Sequence, residues 1–328
     1  MRGATRRSVM ASALALSACA PTIQESLKPG PEFTGPRLES GVFVSFDGAR
    51  LGLTQWEAAG EPWAVIAGLH GMDDYANAFH LAAPVWAAQG IAVYAYDLRG
   101  FGRSPERGVW PGTGLMVEDL RTFCALLRQR HPAATLAIAG ESMGGAVAVA
   151  ALAGDQPPSA DRALLLAPAV WGWSSQPLAY NLALRFAELA APSKVFEPPS
   201  FITSHIRASD NTPELIAMGK DSLMIWGART DALYGLVDLM QTAWRDTGKV
   251  RIPTAYLYGA RDQIIPLKPS VQAAARLRPG DRTAFYAQGY HLLMRDLQRA
   301  NVIADVASFI RDPAAPWPSG APPMPRTA

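Results

Sequence analysis

Six short, unbroken apolar runs alternate with helical patterns along this chain of 328 residues, and they constrain its fold more than any other feature. Runs of this length without interior polar residues are typical of parallel strands that are buried on both faces. The runs are Trp63–Leu69, Ile91–Tyr96, Leu136–Ala139, Ala163–Ala167, Thr254–Leu257 and Thr283–Tyr286. Helical patterns such as Leu115–Arg130 and Met143–Gly154 lie between most of them. The sequence therefore predicts a doubly wound α/β fold with a mostly parallel sheet.

The interval 170–249 interrupts this alternation. It shows helix-like apolar stripes and no strand pattern. We therefore predict a helical cap over 170–249, inserted into a core formed by residues 37–169 and 250–312. Two short runs around the turn Asp47-Gly48 predict an antiparallel hairpin at the start of the core. The proline-rich residues 313–328 are interpreted as a disordered tail.

The first residues have the pattern of a signal peptide. Residues 1–18 combine a basic head, with Arg2, Arg6 and Arg7, and an apolar run about half as long as a membrane-spanning helix. The end of this segment, Leu16-Ser17-Ala18-Cys19, resembles the bacterial lipoprotein signal, which implies lipidation of Cys19. Residues 19–36 are then interpreted as a tether, and Ala20 favours the periplasmic side of the outer membrane over the inner membrane. A plain secretory signal with a chance cysteine is the alternative.

Composition excludes some partners. The formal net charge is only +2, and three arginines lie in the segment expected to be removed, so nucleic acid is not an expected partner. With Cys19 lipidated, Cys124 has no disulfide partner, and its place on an apolar helical stripe predicts a buried, unreactive thiol. We expect neither a metal nor a cofactor.

The strongest indication of chemistry lies at the end of the third apolar run, where a strand, a tight turn and a helix of small residues follow one another. The turn has the sequence Gly140-Glu141-Ser142-Met143-Gly144-Gly145, the context that a nucleophilic serine requires. Gly140 and Gly144 remove side chains that would clash around Ser142. A glycine-rich nucleotide loop is the alternative interpretation, but the G-x-G-x-x-G spacing is missing.

A serine nucleophile needs a base, and the base needs an acid to orient it. Of five histidines, His291 follows the last strand and comes after the serine in the chain. Asp262 follows the preceding strand and lies between Ser142 and His291. Asp231 and Asp238 are rival acids within the cap sequence.

These motifs resemble those of the α/β-hydrolase superfamily, and within it the group of monoacylglycerol lipases, lysophospholipases and serine aminopeptidases. The resemblance covers residues from about 42 to about 310. It implies that the backbone N–H groups of Met72 and Met143 form the oxyanion hole. His70, Gly71 and Asp97 would be supporting residues, and Asp97 could equally be a carboxylate that braces a loop. The segment Met72-Asp73-Asp74-Tyr75 departs from the small residues and the Glu-His pair that the resembling proteins often carry there.

The leading hypothesis is a serine hydrolase that cleaves single-chain carboxylic esters, such as monoacylglycerols or lysophospholipids, through an acyl-enzyme. A serine aminopeptidase or an acyltransferase with the same residues is the alternative, and a noncatalytic lipoprotein of the same fold is a third. Large apolar residues in the cap, including Trp171 and Phe186, favour an acyl pocket over a site for a charged peptide terminus.

Overall fold

The computed structural model describes residues 22–197 and 206–327, so the signal segment, Cys19 and His205 lie outside the described residues. Eleven strands are present in this part of the chain, and nine of them form one sheet in the order β1-β2-β3-β5-β4-β6-β7-β10-β11. The strands are β1 (Arg37–Glu39), β2 (Val42–Val44), β3 (Arg50–Trp56), β4 (Ala64–Leu69), β5 (Ile91–Tyr96), β6 (Thr135–Glu141), β7 (Arg162–Leu166), β8 (Val195–Phe196), β9 (Ala228–Arg229), β10 (Thr254–Gly259) and β11 (Arg282–Tyr286). The helices are α1 (Ala83–Ala88), α2 (Gly112–Arg130), α3 (Met143–Leu152), α4 (Leu178–Ala190), α5 (Thr212–Lys220), α6 (Thr230–Asp246), α7 (Leu267–Ala274) and α8 (Arg299–Arg311).

The sheet is mostly parallel, as the sequence predicts. Strands β5, β4, β6, β7, β10 and β11 pair in parallel, whereas β1, β2 and β3 add an antiparallel edge that contains the predicted hairpin. Each of the six apolar runs is one of the parallel strands. Because parallel strands end at the same edge, the residues that follow β4, β6, β10 and β11 converge there.

Helices cover both faces of the sheet. Apolar side chains of α2, α3, α6 and α7 pack into one buried core, and those of α1 and α8 pack into the other. Every residue of β4 and of β5 is buried. Strands that lie between two helical layers have no solvent-facing side, which explains why they form continuous apolar runs rather than alternating ones.

The cap is shorter than predicted. Helix α6 lies within the predicted interval 170–249, but it packs on α3 and α7 and buries Leu239 and Ala243 in the core. It is therefore the crossover helix between β7 and β10. The cap proper ends near residue 229 and contains α4, α5 and an antiparallel pair, β8 with β9, which the sequence pattern did not indicate because each strand has only two residues.

The proline-rich C-terminal segment is ordered along residues 313–327, which corrects the prediction of a disordered tail. Phe285 N–H donates to Pro322 O over 2.8 Å, and Trp317 Nε1 donates to Thr283 O over 3.0 Å. The Phe285 donor and the Thr283 acceptor both belong to β11, the last strand of the sheet. An edge strand has unpaired backbone groups, so a segment without regular structure can still be bound there.

The segment predicted as a tether also packs on the core from residue 22 onward. Gln24 N–H donates to Trp110 O over 3.0 Å, and Leu27 N–H donates to Asp47 Oδ2 over 2.9 Å. A tether could therefore occupy only the residues before this point. In the described part of the chain, no helix is long and apolar enough to cross a bilayer.

Candidate active site

Ser142 occupies a strained turn between β6 and α3. Its backbone angles are φ 53° and ψ −117°, a left-handed region that a residue with a side chain rarely adopts. The turn is possible because two flanking glycines allow backbone to pass closely. A Cβ on Gly140 would lie 2.4 Å from Gly144 O, and a Cβ on Gly144 would lie 2.3 Å from Leu69 O. The turn presents the Ser142 side chain at the carboxyl edge of the sheet.

His291 and Asp262 form a buried pair on the neighbouring strand ends. His291 Nδ1 and Asp262 Oδ2 are 2.8 Å apart, and both side chains are almost fully buried. Asp262 Oδ1 accepts the backbone N–H groups of Ile264 and Ile265, which fixes the carboxylate. Burial lowers the pKa of His291, but the charge of Asp262 and its hydrogen bond outweigh burial and raise that pKa above its usual value.

The rival acids are engaged elsewhere. Asp231 pairs with Arg229, and Asp238 accepts a hydrogen bond from Trp173 Nε1. With Nδ1 held by Asp262, Nε2 is the ring nitrogen of His291 that can serve Ser142. Among the described residues no direct hydrogen bond joins Ser142 Oγ to this ring, and such contacts in hydrolases without substrate are often long.

The loop after β4 lies directly against Ser142. A Cβ on Gly71 would be only 3.2 Å from Ser142 Cβ, so glycine allows the approach of this loop. His70 braces it, because its Nδ1 lies 2.7 Å from Gly71 O while Leu98 N–H donates to its Nε2 over 2.8 Å. Burial lowers the pKa of His70, which keeps the ring neutral and structural. Met72 and Met143 directly follow Gly71 and Ser142 in the chain, so they belong to the two segments that meet here.

Asp97 braces the next loop and does not contact the serine. It accepts Ala76 N–H over 2.9 Å and pairs with the guanidinium of Arg103 over 2.7 Å. Burial raises the pKa of Asp97, but the hydrogen bonds from Arg103 prevail and lower it below the usual range. The carboxylate is therefore a fixed anchor for the chain around it.

A pocket of ≈ 350 Å³ opens above Ser142 between the core and the cap. Uncharged side chains line it: Met72, Ser142, Ala169, Trp171, Gln176, Tyr180, Leu184, Leu233, Leu236, Val237, Met240, Ile264 and Ile265. Trp171 contributes to the roof, as the sequence predicts. Phe186 does not, because it lies on the outer face of α4 with 73% of its surface exposed. Only the inner face of that helix, including Leu184, reaches the pocket.

A buried ionic cluster beside the serine was missed by sequence reasoning. Arg295 Nη2 lies 2.7 Å from Asp74 Oδ2 and 2.7 Å from Glu141 Oε2. Asp296 is also buried and accepts Tyr290 N–H and the Ser209 hydroxyl. The sequence offered one indication of this cluster, because each of these charged residues stands within five positions of a motif residue along the chain.

Other reactive groups lie outside the site. Cys124 is a buried thiol whose pKa burial raises to about 12, so it is unreactive at neutral pH. His131 shares a hydrogen bond with the Tyr94 hydroxyl. It precedes β6, whereas Ser142 follows that strand, so the two residues lie at opposite edges of the sheet. Within residues 22–197 and 206–327, no group of three His, Cys, Asp or Glu side chains could hold a metal ion.

The sheet topology, the strained serine at the end of β6 and the buried histidine–aspartate pair define a serine hydrolase of the α/β-hydrolase class. The chain belongs to the Hydrolase_4 family, described as serine aminopeptidase S33, whose family model matches residues 60–298. It is 26% identical over 275 residues to a monoacylglycerol lipase of Mycolicibacterium smegmatis, covering 82% of this chain and 95% of that protein. It is 26% identical over 259 residues to human monoglyceride lipase, covering 77% and 84% of the two chains.

Solved structures show the same fold. The monoacylglycerol lipase of Paleococcus ferrophilus superimposes with a TM-score of 0.66 at 17% identity, over 80% of this chain and 99% of that one. A carboxyl esterase of Bacillus coagulans superimposes with a TM-score of 0.68 at 19% identity, over 85% and 99%. Both comparisons show that the chain shares this fold.

Proposed function

We propose that this protein hydrolyses esters of a single acyl chain with a small alcohol, of the monoacylglycerol type. Ser142 attacks the ester carbonyl, His291 takes the serine proton and returns it to the leaving alcohol, and Asp262 orients the histidine. The backbone N–H groups of Met72 and Met143 stabilise the oxyanion. Water then releases the acid from the acyl-enzyme by the same steps in reverse.

The uncharged pocket above Ser142 is the observation that carries the choice of substrate. Its volume lies at the lower end of the range for small-molecule sites, which suits one acyl chain better than several. Each methylene that enters it contributes ~0.8 kcal/mol. The relatives named as monoacylglycerol lipases support the same substrate class.

The aminopeptidase alternative follows from the family description, but the pocket does not favour it. A peptide N-terminus carries an ammonium ion, and no carboxylate is among the described residues that line the pocket. Burying that cation without a partner would be costly. Acyl transfer by the same residues would need an acceptor other than water.

A substrate panel tests the proposal. Purified protein is assayed with p-nitrophenyl esters from acetate to dodecanoate, with 1-monoacylglycerols and with leucine and proline arylamides. Efficiency should rise from acetate to medium chains, and the arylamides should be poor substrates. Faster cleavage of an arylamide than of any ester would establish the peptidase alternative instead.

We further propose that the protein is exported and anchored by lipid at Cys19, on the periplasmic side of the outer membrane. The lipoprotein-like segment before Cys19 supports this location. So does the outer face of α4, where four apolar side chains at helical spacing are more than half exposed: Leu178, Leu182, Phe186 and Leu189. Cys19→Ser should move the protein from the detergent-requiring fraction to the soluble one, and a wild-type protein that is already soluble would contradict the anchor.

A further inference from the structure

The ionic cluster formed by Arg295, Glu141 and Asp74 joins the three loops on which the proposed reaction depends. Asp74 stands two residues after Met72, Glu141 directly precedes Ser142, and Arg295 follows His291 by four positions. All three side chains are at least 94% buried, with exposed fractions of 6%, 0% and 2%. The guanidinium of Arg295, on the loop that carries His291, therefore contacts two other segments. One is the loop after β4, which carries Met72 and is called the oxyanion loop below, and the other is the turn that carries Ser142.

A second buried arginine in the same molecule has a complete set of hydrogen-bond partners. Arg99 lies between Asp47 and Asp119 and uses Nε, Nη1 and Nη2 in four hydrogen bonds of 2.7 to 2.9 Å. Both carboxylates are held in the forked geometry that suits a guanidinium. This cluster connects the opening hairpin and α2 to the loop after β5, and none of these four hydrogen bonds reaches Ser142, His291 or the loop after β4.

The Arg295 cluster is less complete. A single nitrogen, Nη2, serves both carboxylates, and among the described residues the partner of Nη1 is the Met218 sulfur at 3.6 Å. Arg295 Nε and Glu141 Oε1 are buried and have no hydrogen-bond partner among the described residues. Buried polar groups without partners are costly, so their presence beside a reaction centre calls for a functional reason.

The cluster also determines the charge near the histidine. Burial raises the pKa of Glu141, and the charge of Arg295 opposes this. With both carboxylates ionised, the one guanidinium between them leaves a net charge of −1, and His291 becomes a cation when it takes the serine proton. The groups that face His291 are Asp262 from the end of β10, Glu141 from the end of β6 and Arg295 from its own loop. After burial and Asp262, the Glu141 charge raises the pKa of His291, while the Arg295 charge lowers it.

We propose that Glu141 and Arg295 are positioning residues: together with Asp74 they fix Ser142, the oxyanion loop and His291 relative to one another, and they set the charge around the histidine ring. This inference rests on the proposed function. It assigns Glu141 mainly an electrostatic role and Arg295 mainly a geometric one. Two conservative substitutions therefore separate the roles.

Glu141→Gln removes the charge and keeps an oxygen that can accept from Arg295. Without the negative charge the pKa of His291 falls. The neutral ring is the base, so the acid limb of the pH–rate profile, where the rate falls as His291 becomes protonated, should move to lower pH by about half a unit or more. The turnover kcat should fall roughly tenfold or more with KM changed less than about twofold, because a cation forms only as the reaction proceeds.

Arg295→Lys keeps the charge and loses the planar guanidinium that reaches two carboxylates. We expect kcat to fall by roughly tenfold to a hundredfold while the acid limb stays in place, since small displacements of reacting groups are costly. Asp119→Asn in the Arg99 cluster is the matched control. It should lower Tm without shifting the acid limb.

The experiment measures the rate of labelling by a fluorophosphonate from pH 5 to 9, together with kcat, KM and Tm, for the full chain and the three variants. A wild-type protein that is not labelled at Ser142 would contradict the proposed function itself. If the wild type is labelled and the acid limb of Glu141→Gln lies at the same pH as that of the wild type, only the positioning role of the cluster is overturned. That role would also be overturned if Asp119→Asn moved the acid limb as far as Glu141→Gln does.

Discussion

The floor and the roof of the pocket are built in different ways. The floor is the carboxyl edge of the sheet, where Ser142 and His291 are held by strained backbone, close glycines and short hydrogen bonds. The roof is the cap, where α4 has no fully buried residue and much of its apolar surface faces outward. From this difference we expect the core to determine the chemistry and the cap, together with α6, to determine which ester binds. Substitutions in the two regions should therefore have effects of very different size.

Ser142→Ala should have the largest effect. It removes the proposed nucleophile and should reduce ester turnover by about four to six orders of magnitude, because in a set of residues that act together the loss of one removes nearly all of the activity. Turnover of p-nitrophenyl butyrate, circular dichroism and fluorophosphonate labelling check this. A folded variant that kept a tenth of the wild-type rate would place the nucleophile elsewhere.

Asp262→Asn should reduce kcat by about three to four orders of magnitude, because an amide favours the wrong tautomer of His291. Asp238→Asn is the control, since Asp238 is the rival acid on α6 and contacts Trp173 instead. Its kcat should stay within about threefold of wild type. Equal losses in the two variants would mean that Asp262 acts only through folding.

The pH dependence of kcat/KM should show an acid limb with an apparent pKa above the ordinary histidine value of about 6.5. The direction follows from His291: burial lowers its pKa, Asp262 raises it more, and only the neutral ring is a base. Below that pKa the rate should fall about tenfold per pH unit. An apparent pKa of the acid limb well below the ordinary histidine value would contradict the effect assigned to the Asp262 charge.

In the cap, Trp171→Ala should flatten the chain-length preference. The variant should lose about tenfold in efficiency on octanoate relative to acetate, because part of the apolar roof is removed and ~1.4 kcal/mol corresponds to a tenfold change. Trp226→Ala is the matched control, a cap tryptophan that is 57% exposed and lies outside this pocket. A similar change of chain-length preference in both variants would show that the effect does not arise from the roof of this pocket.

Phe186→Ala should have the smallest effect on soluble esters. The side chain is 73% exposed, so stability should change by no more than about 0.5 kcal/mol and efficiency by less than about twofold at every chain length. On substrate dispersed in phospholipid vesicles the rate should fall further. A loss of octanoate turnover in solution would bring Phe186 back into the pocket.

Much of the core could be predicted from the sequence alone. The six apolar runs became the six parallel strands, since strands buried on both faces form short, continuous apolar runs. The turn around Ser142 was equally predictable, because two glycines at fixed spacing are demanded by a close backbone approach. The chain order of Ser142, Asp262 and His291 then indicated which strand ends should meet.

The tertiary structure decided which surfaces and side chains meet, which local sequence patterns could not determine. An amphipathic stripe shows that a helix has a buried face but not whether that face meets the core or the cap, so α6 was misplaced and Phe186 was assigned to the pocket. The ordered tail depends on the unpaired edge of β11, which lies elsewhere in the chain. The Arg295 cluster joins three loops that are far apart in the sequence, and only the fold brings their charges within hydrogen-bond distance.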